Sequence, residues 1–471
     1  MSKNDELFNQ SILNLKFIHF LVIIVEEYPS KYYSAIDYLC YAKNWDMSKL
    51  ITGFSKLSKS EKIDWLAENY FQDKILGIET LEQYKNEDAK LQQLHDEFIE
   101  NTISNFYVPY AIAPNFIINE KPFAIPMAIE ESSVVAAAAL TAKFWSTRGG
   151  FTANVISTTK IGQVHFTYKG DVSELRQYFS RIKEQLIRST DHITANMRKR
   201  GGGIVDIELR DKTDELDYYF QLHVKFETGD SMGANFINSC LEAIAGEFEK
   251  EGISIIMSIL SNYVPECLVR AEVSCSIEDF FEEDAELYAQ KFVQAVEIAK
   301  VEPYRAVTHN KGIMNGIDAV VLATGNDFRA VAAGAHAYAA KDGKYKSLTH
   351  AKIEEGHFKF WIEIPLSLGT VGGLTKLHPL AKLSMEILQS PSAAELMQIV
   401  AVAGLAQNFA ALRALTTTGI QQGHMKMHLM NILNQLEANV HEKELIIQEF
   451  KKNAVSHSAV AECLHKIRTG H

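Results

Sequence analysis

A change of pattern in the middle of the chain restricts its fold most strongly. Between about Gln163 and Glu272, strand-like alternation is interspersed with charged, helix-like segments, whereas Val301 to Gly419 is rich in glycine and alanine. A chain of 471 residues exceeds the roughly 250–300 at which single cores stop growing, so two or more domains are expected. The pattern predicts an α+β domain inserted into a larger domain that resumes after it.

Local patterns predict the individual elements. A polar, helical region is expected over Ser58–Asn101, short strands at Asn105–Tyr110 and Phe116–Pro122, a buried helix from Val134 capped by Ser132 or Ser133, strands from Gln163 and Tyr218, and a helix over Val172–Arg188. The C-terminal residues have the pattern of a separate helical tail.

Composition excludes several classes of function. A formal charge of −12 leaves no general basic surface, so we expect no nucleic-acid partner. The cysteines form no C-x-x-C pair, which favours reduced thiols and no structural metal. The most apolar N-terminal stretch, Ile12 to Val25, is shorter than the ~20 residues of a membrane helix. We therefore expect a cytoplasmic protein without membrane association.

The common nucleotide-binding loops, G-x-G-x-x-G after a strand and G-x-x-x-x-G-K-[ST], are both absent from the sequence. Four other segments place ionisable residues among small apolar ones, where burial is unfavourable without a partner. Glu130 and Glu131 precede the alanine-rich helix, where carboxylates also simply offset the helix dipole. Lys311 precedes Gly312 and Gly316, which permit turns, and a lysine in such a segment is either solvated or catalytic.

The other two segments also have ordinary interpretations. Asp327 follows an apolar stretch, Ala319–Ala323, that has a strand pattern, and a helix cap is the simplest role for this aspartate. His424 and His428 are four residues apart, a spacing that zinc can use. Without H-E-x-x-H or an evident third ligand, we expect no metal.

Together these segments resemble the soluble, anchor-free class of hydroxymethylglutaryl-CoA reductases, over about residues 53 to 471. Motifs similar to the family's occur in the family's order: Glu100-Asn-Thr-Ile, Glu130-Glu-Ser-Ser-Val-Val-Ala-Ala, Asp230-Ser-Met-Gly-Ala-Asn, Arg305-Ala-Val-Thr-His-Asn-Lys-Gly-Ile-Met-Asn-Gly, Ala323-Thr-Gly-Asn-Asp, Val371-Gly-Gly-Leu-Thr-Lys, Gly404-Leu-Ala-Gln-Asn and Gly419-Ile-Gln-Gln-Gly-His.

The resemblance implies a catalytic set of Glu131, Lys311, Asp327 and His424, which reduces 3-hydroxy-3-methylglutaryl-CoA to mevalonate and coenzyme A. In the family, two hydrides convert the thioester to an alcohol, and negative charge develops on one oxygen each time. Lys311 would hold that charge, supported by Asp327. Glu131, with a pKa raised by burial, would supply a proton, and His424 would protonate the departing thiolate.

The resemblance also implies binding residues. Substrate contacts are carried over to Ser133, Arg305, Asn315, Gln407 and Asn408, with Arg305 facing the terminal carboxylate. Dinucleotide contacts are carried over to Asp230, Met232, Gly233 and Asn235, where a turn of small residues lets backbone approach the cofactor.

The implied fold is α+β, and its domains follow the family. A large mixed α/β domain that binds CoA and substrate would span 47–160 and 270–422. A small ferredoxin-like α+β domain for the nicotinamide dinucleotide would span 161–269, and a C-terminal helical flap 423–471. A homodimer with the active site at its interface is implied as well.

The expected cofactor is NADPH, with NADH as the alternative. Relatives that prefer NADH place an aspartate several residues before the glycine triplet that begins here at Gly201, where it repels a 2′-phosphate. Counting back without gaps puts Thr194 at that position. Arg198, Lys199 and Arg200 follow, and such cations either pair with a 2′-phosphate or end a solvated helix.

Some points depart from the family or stay open. Serine replaces the family's proline after Glu131, and Lys56 lies where an arginine often contacts CoA. Residues 1–46 are either a helical extension or sequence upstream of a start at Met47, which the position of that methionine favours. Lys311 would also suit imine chemistry in a lyase, and a CoA-binding scaffold is the non-catalytic alternative. The same site could also oxidise mevalonate with NAD.

Overall fold

The computed structural model describes residues 49–281, 284–417, 429–450 and 455–469. Residues 49–107 form a compact unit of their own. It contains three helices: α1 (Lys59–Asn69), α2 (Lys74–Gln83) and α3 (Ala89–Asp96). Ser58 caps α1 in a reciprocal arrangement with Glu61, and Lys59 contacts Asp96 at 2.7 Å. The predicted helical character of this region is confirmed.

The second unit begins at Val108. Up to residue 281 its elements are β1 (Tyr110–Ile118), β2 (Lys121–Ala128), α4 (Val134–Ser146), β3 (Thr152–Val155), β4 (Lys160–Thr167), α5 (Val172–Ser189), α6 (Asp191–Arg198), β5 (Gly203–Asp211), β6 (Tyr219–Glu227), α7 (Ala234–Glu249), β7 (Ser254–Leu260), β8 (Leu268–Ser276) and α8 (Ile277–Phe280).

The remaining elements are mostly helical. They are α9 (Ala285–Val301), α10 (Pro303–Ala323), α11 (Phe328–Ala339), β9 (Thr349–Glu354), β10 (His357–Pro365), α12 (Gly373–Leu377), α13 (Pro379–Ile387), α14 (Ala393–Thr416), α15 (Val440–Glu449) and α16 (His457–Thr469). Residues 429–435 are also helical.

The strand pairing shows how the chain is divided. Strands β3, β8, β10 and β9 form one antiparallel sheet in that order, and β5, β6, β4 and β7 form another. The last residue of β3, Val155, pairs with Val269 of β8. The chain therefore leaves the first sheet, builds the second and returns beside its point of departure.

The second sheet has a hydrophobic core of its own with the helices packed on it. Helix α5 buries Leu175, Ile182 and Leu186, spaced to lie on one helical face. They pack against strand residues such as Phe220 and against Phe248 of α7. The predicted strands and charged helix of this region are confirmed.

Helix α14 lies in the main core and is buried on almost every side. Among the described helices, it alone is long and apolar enough to cross a membrane by length and composition. Its packing explains that composition, because a helix surrounded by core needs no polar face. Gly316 of α10 lies so close to α14 that a Cβ there would meet the Ala403 carbonyl oxygen at 2.5 Å.

Three local predictions were wrong, and a fourth, the burial of α4, was only partly right. Ala319–Ala323 is the end of α10 rather than a strand, and Lys311 lies inside the same helix rather than in a turn. Residues 105–109 precede β1 and are not in a strand. Helix α4 buries one face, including Ala138 and Trp145, while its Leu140 is exposed.

The C-terminal residues have a small core of their own. Leu433, Ile446 and Val460, from three successive helical segments, are fully buried together. The expected helical tail is confirmed for these described residues.

Candidate active site

An ion pair joins two of the predicted catalytic residues. Lys311 on α10 donates a hydrogen bond from Nζ to Oε2 of Glu131, in the turn that precedes α4. Both side chains are exposed, at 59% and 39%. The described residues of the single chain therefore do not provide the burial expected around Glu131. The pair presents a cation and a carboxylate side by side at the surface.

Asp327 lies elsewhere in the site. It caps α11, accepting hydrogen bonds from the backbone amides of Arg329 and Ala330, as the sequence predicted. The Arg329 side chain also contacts the carboxylate, at 3.0 and 3.1 Å. Burial alone would raise the pKa of Asp327, but these hydrogen bonds outweigh it and hold the pKa below its usual range. In this conformation Asp327 pairs with Arg329 and Lys311 with Glu131.

A cleft of about 550 Å³ lies between the second sheet's helices and the loops around Asp327. It is lined by Met232, Gly233 and Asn235, three of the predicted dinucleotide residues, at the start of α7. Gly233 has φ +85°, and a Cβ there would meet the Thr228 side chain at 2.6 Å. Glycine at 233 therefore allows the start of α7 to pack closely against Thr228 beside the cleft.

Three other residues predicted to contact the cofactor make hydrogen bonds within the protein. Asp230 does not line this cleft, and its Oδ1 accepts a hydrogen bond from the Ala393 amide at 2.8 Å. Thr194 is fully buried and donates to the Thr190 carbonyl at 3.0 Å. Arg198 is ion-paired with Asp191. Local bonds therefore occupy the side-chain groups on which the predictions relied.

The cleft is also lined by polar residues that the sequence analysis had not selected as sites, and Asn196 and Arg200 are two of them. Asn196 and Arg200 lie at the end of α6 and just beyond it, on the cleft wall. Arg200 belongs to the basic stretch already noticed, but only the fold shows which of its cations faces the cleft.

The predicted substrate residues near the ion pair have unused polar groups. Ser133 occupies the cap position of α4 with φ +73°, yet its side chain makes no capping bond. A non-glycine residue in this region is strained, as functional residues often are. Arg305 is half-buried, burial lowers its pKa, and its guanidinium joins none of the ion pairs among the described residues. Asn315 is one helical turn beyond Lys311.

Gln407 and Asn408 are buried in α14. Asn408 accepts a hydrogen bond from Thr349 at 2.9 Å and donates one to the His309 carbonyl at 3.3 Å. Its amide therefore already makes two hydrogen bonds within the fold. Gln407 Oε1 is buried without a partner, and Gly316 lies against its side chain.

A buried polar network holds α10 just before Lys311. The Nε2 atom of His309 lies 2.6 Å from the Thr349 hydroxyl and 2.9 Å from that of Ser347. Asn310 donates to the Lys346 carbonyl and accepts from the Leu348 amide. Burial, with Arg305 nearby, lowers the pKa of His309 to about 3, so its ring is neutral. The sequence offered no signal for this network beyond polar residues on an apolar helix.

Asp318 was also missed. It lies two turns beyond Lys311 on the same side of α10. Its Oδ1 atom is buried without a hydrogen-bond partner, and burial raises its pKa to about 6.

His424, the predicted proton donor, and His428 lie outside the described residues. Among the residues that are described, no cluster of three or more His, Cys, Asp or Glu side chains could hold a metal ion.

Comparison with known proteins decides the family. The family model for hydroxymethylglutaryl-coenzyme A reductase matches residues 59–429. This chain belongs to that family. The 3-hydroxy-3-methylglutaryl-coenzyme A reductase of Archaeoglobus fulgidus is 39% identical over 407 residues, covering 85% of this chain and 91% of that protein. A probable 3-hydroxy-3-methylglutaryl-coenzyme A reductase of Borreliella burgdorferi is 33% identical over 430 residues, 89% and 97% of the two chains.

Solved structures identify the class within the hydroxymethylglutaryl-CoA reductases. The class II enzyme from Streptococcus pneumoniae, solved with bound NADPH in open conformations, has a TM-score of 0.67 and 33% identity. The structural alignment covers 88% of this chain and 100% of the Streptococcus pneumoniae chain. The chain is a class II member with the expected mixed α/β fold.

Proposed function

We propose that this protein reduces the thioester of 3-hydroxy-3-methylglutaryl-CoA to mevalonate and free CoA, with NADPH as the reductant. The observation that carries the proposal is the Lys311–Glu131 ion pair. Ser133 lies two residues after Glu131, and Asn315 lies one helical turn after Lys311. Acyl reduction needs a fixed cation and a proton source at one oxygen, and this pair supplies both.

Each of the paired residues has a distinct role in this proposal. The ammonium of Lys311 holds the negative charge that develops on the thioester oxygen. Glu131, hydrogen-bonded to Lys311, delivers a proton to that oxygen. Arg305, with no carboxylate partner among the described residues, binds the terminal carboxylate of the substrate. His424 protonates the departing thiolate.

The cleft at the start of α7 has the features that a dinucleotide requires. A helix N-terminus favours phosphate, and Gly233 and Asn235 bring the start of α7 to the cleft. Gly369, which also lines the cleft, packs directly on the turn before α7, since a Cβ there would meet the Met232 amide nitrogen at 2.5 Å. When bound, NADPH would supply hydride. The chain's own residues would orient it, and Arg200 would pair with its 2′-phosphate.

Asp327 lines this cleft, on the wall that faces the start of α7. In the proposal it supports Lys311 once substrate and cofactor are bound, which requires it to exchange Arg329 for the lysine. The C-terminal residues from 423 act as a flap that brings His424 to the substrate. Their separate small core supports movement as one piece.

The proposed domains follow the sheets. Residues 161–269 hold the dinucleotide, and the segments 47–160 and 270–422 hold CoA and substrate. The separate core of the second sheet supports this division. A homodimer is proposed as well, since Tyr304 and Val307 are 87% and 55% exposed beside Lys311 on α10.

The decisive test follows oxidation of NADPH with 3-hydroxy-3-methylglutaryl-CoA as substrate, with mevalonate identified as the product. Measuring NADH in parallel, in both directions, separates biosynthetic reduction from oxidation of mevalonate with NAD. If neither dinucleotide is consumed with this thioester, the proposed function is wrong.

A further inference from the structure

The turn before α7 is held by a buried lysine. Lys160, the first residue of β4, donates hydrogen bonds from Nζ to the Thr228 hydroxyl and, at 2.7 Å, to the Ser231 carbonyl. The Thr228 hydroxyl in turn donates to the same carbonyl at 2.6 Å. Three polar groups therefore close a small ring inside the protein and fix the turn that begins α7.

This lysine is in an unfavourable position for a charged group. It is only 4% exposed, and both of its hydrogen bonds go to uncharged oxygens. Burial lowers its pKa, while the carboxylates of Glu227 and Asp230 act in the opposite direction through space. A buried cation usually adds less stability than a well-packed apolar side chain would. Fold stability alone therefore does not explain a lysine here.

The ring is coupled to the cleft by direct packing. The Thr228 methyl carbon lies 2.6 Å from the place where a Cβ on Gly233 would be, so the two residues pack directly against each other. Gly233 starts α7 and lines the cleft. Any shift of the Thr228 hydroxyl is therefore transmitted to the amides that face the cleft.

The other side of the turn is fixed to the large domain. The Asp230 carboxylate accepts a hydrogen bond from the Ala393 amide at 2.8 Å. The backbone carbonyl of Asp230 accepts one from the Thr370 amide at 2.9 Å. Lys160 supplies the matching attachment to the second sheet. With both attachments, the turn has a single position between the two sheets.

We propose that Lys160 is a positioning residue for the dinucleotide, one that holds the Thr228–Gly233 turn in the conformation that binds it. This inference rests on the proposed function, because it assumes a dinucleotide in the cleft. Lys160 does not line that cleft and acts only through the turn.

The test replaces Lys160 with methionine, which keeps the chain length and removes the charge. The Kd for NADPH, measured by calorimetry, and the KM for NADPH should each rise roughly tenfold, the effect of losing preorganisation worth a hydrogen bond or two. The KM for the thioester should stay near the wild-type value. The melting temperature should stay the same or rise, because an apolar side chain replaces a buried cation.

Matched variants separate positioning from general damage. Thr228→Val removes the hydroxyl at nearly constant volume and should weaken NADPH binding as Lys160→Met does. Thr228→Ser keeps the hydroxyl and should bind NADPH almost as the wild type does. Lys183→Met removes an exposed lysine of the same domain, ion-paired with Asp206, and should change neither binding nor stability.

Two results would overturn the inference. If Lys160→Met binds NADPH as tightly as the wild type, the lysine does not position the turn. If it melts far lower and loses affinity for thioester and NADPH alike, the lysine is structural. A wild-type protein that binds neither dinucleotide would instead refute the proposed function, and this inference with it.

Discussion

Lys311 and Glu131 form an ion pair although they are 180 residues apart in the chain. One lies in the middle of a long core helix and the other in the turn before an alanine-rich helix. Neither side chain is needed to fill the core, because both are exposed. The fold thus brings a cation and an acid together at its surface, which is the arrangement that reduction of an acyl group requires.

Replacing Lys311 by alanine should abolish the reduction of both the thioester and free mevaldehyde. The cation serves the same oxygen in each half-reaction, and losing such a group costs about 3–4 kcal/mol, or two to three orders of magnitude in kcat. Steady-state assays with each substrate measure this. Lys352→Ala, at a surface ion pair with Glu354, is the control and should keep full activity. More than a tenth of wild-type turnover in the folded Lys311 variant would contradict the assignment.

Replacing His424 by glutamine should separate the two half-reactions. Reduction of mevaldehyde releases no thiolate, so it should survive, whereas thioester reduction should collapse because the thiolate is not protonated. The measurement is the ratio of the two kcat values in wild type and variant. Equal loss of both activities would show that His424 does not act on the thiolate.

The sequence analysis predicted correctly those features that depend only on neighbouring residues in the chain. Asp327 was expected to cap a helix, and it does, because capping depends on residues within one turn. The glycines around Lys311 were misread as turn signals. Gly316 is instead required by the close approach of α14, a tertiary contact that no local pattern reveals.

The direction in which a side chain points could not be predicted from the sequence either. Counting along the chain put Thr194 at a cofactor position, but the helix turns its side chain inward, to the Thr190 carbonyl. Arg198 is the last residue of α6, whereas Arg200 lies in the turn beyond it. One pairs with Asp191 and the other lines the cleft, a distinction that requires the fold.

This difference between the arginines predicts the basis of cofactor preference. Arg200→Ala should lower the ratio of kcat/KM for NADPH over NADH by roughly ten- to a hundredfold, by weakening NADPH alone, since a charge-assisted hydrogen bond is lost. Arg198→Ala should change the ratio much less, because Arg198 is already paired with Asp191. The measurement is kcat/KM with each dinucleotide for both variants. A larger effect from Arg198 would place the 2′-phosphate elsewhere, and a wild-type ratio below one would refute NADPH preference.

The stability of the protein should depend on pH through Asp318. Its folded pKa is about 6, against an ordinary value of 3.8, so the ionised form is disfavoured in the folded state. The penalty is therefore absent below about pH 4, grows as the pH rises towards 6, and is complete above it. A shift of this size corresponds to roughly 2–3 kcal/mol, and partial exposure places the expected effect at the lower end.

Asp318→Asn should therefore melt higher than the wild type at about pH 8, and the advantage should shrink as the pH falls to about 4. Thermal unfolding of both proteins across this range measures the effect, with Asp342→Asn, at an exposed ion pair with Lys346, as the control. The difference between variant and wild type is the informative quantity, because every other titrating group is common to both. A difference that does not change with pH would mean that the carboxyl stays ionised beside a cation that the described residues do not supply. A second copy of the chain would be the first place to look for that cation.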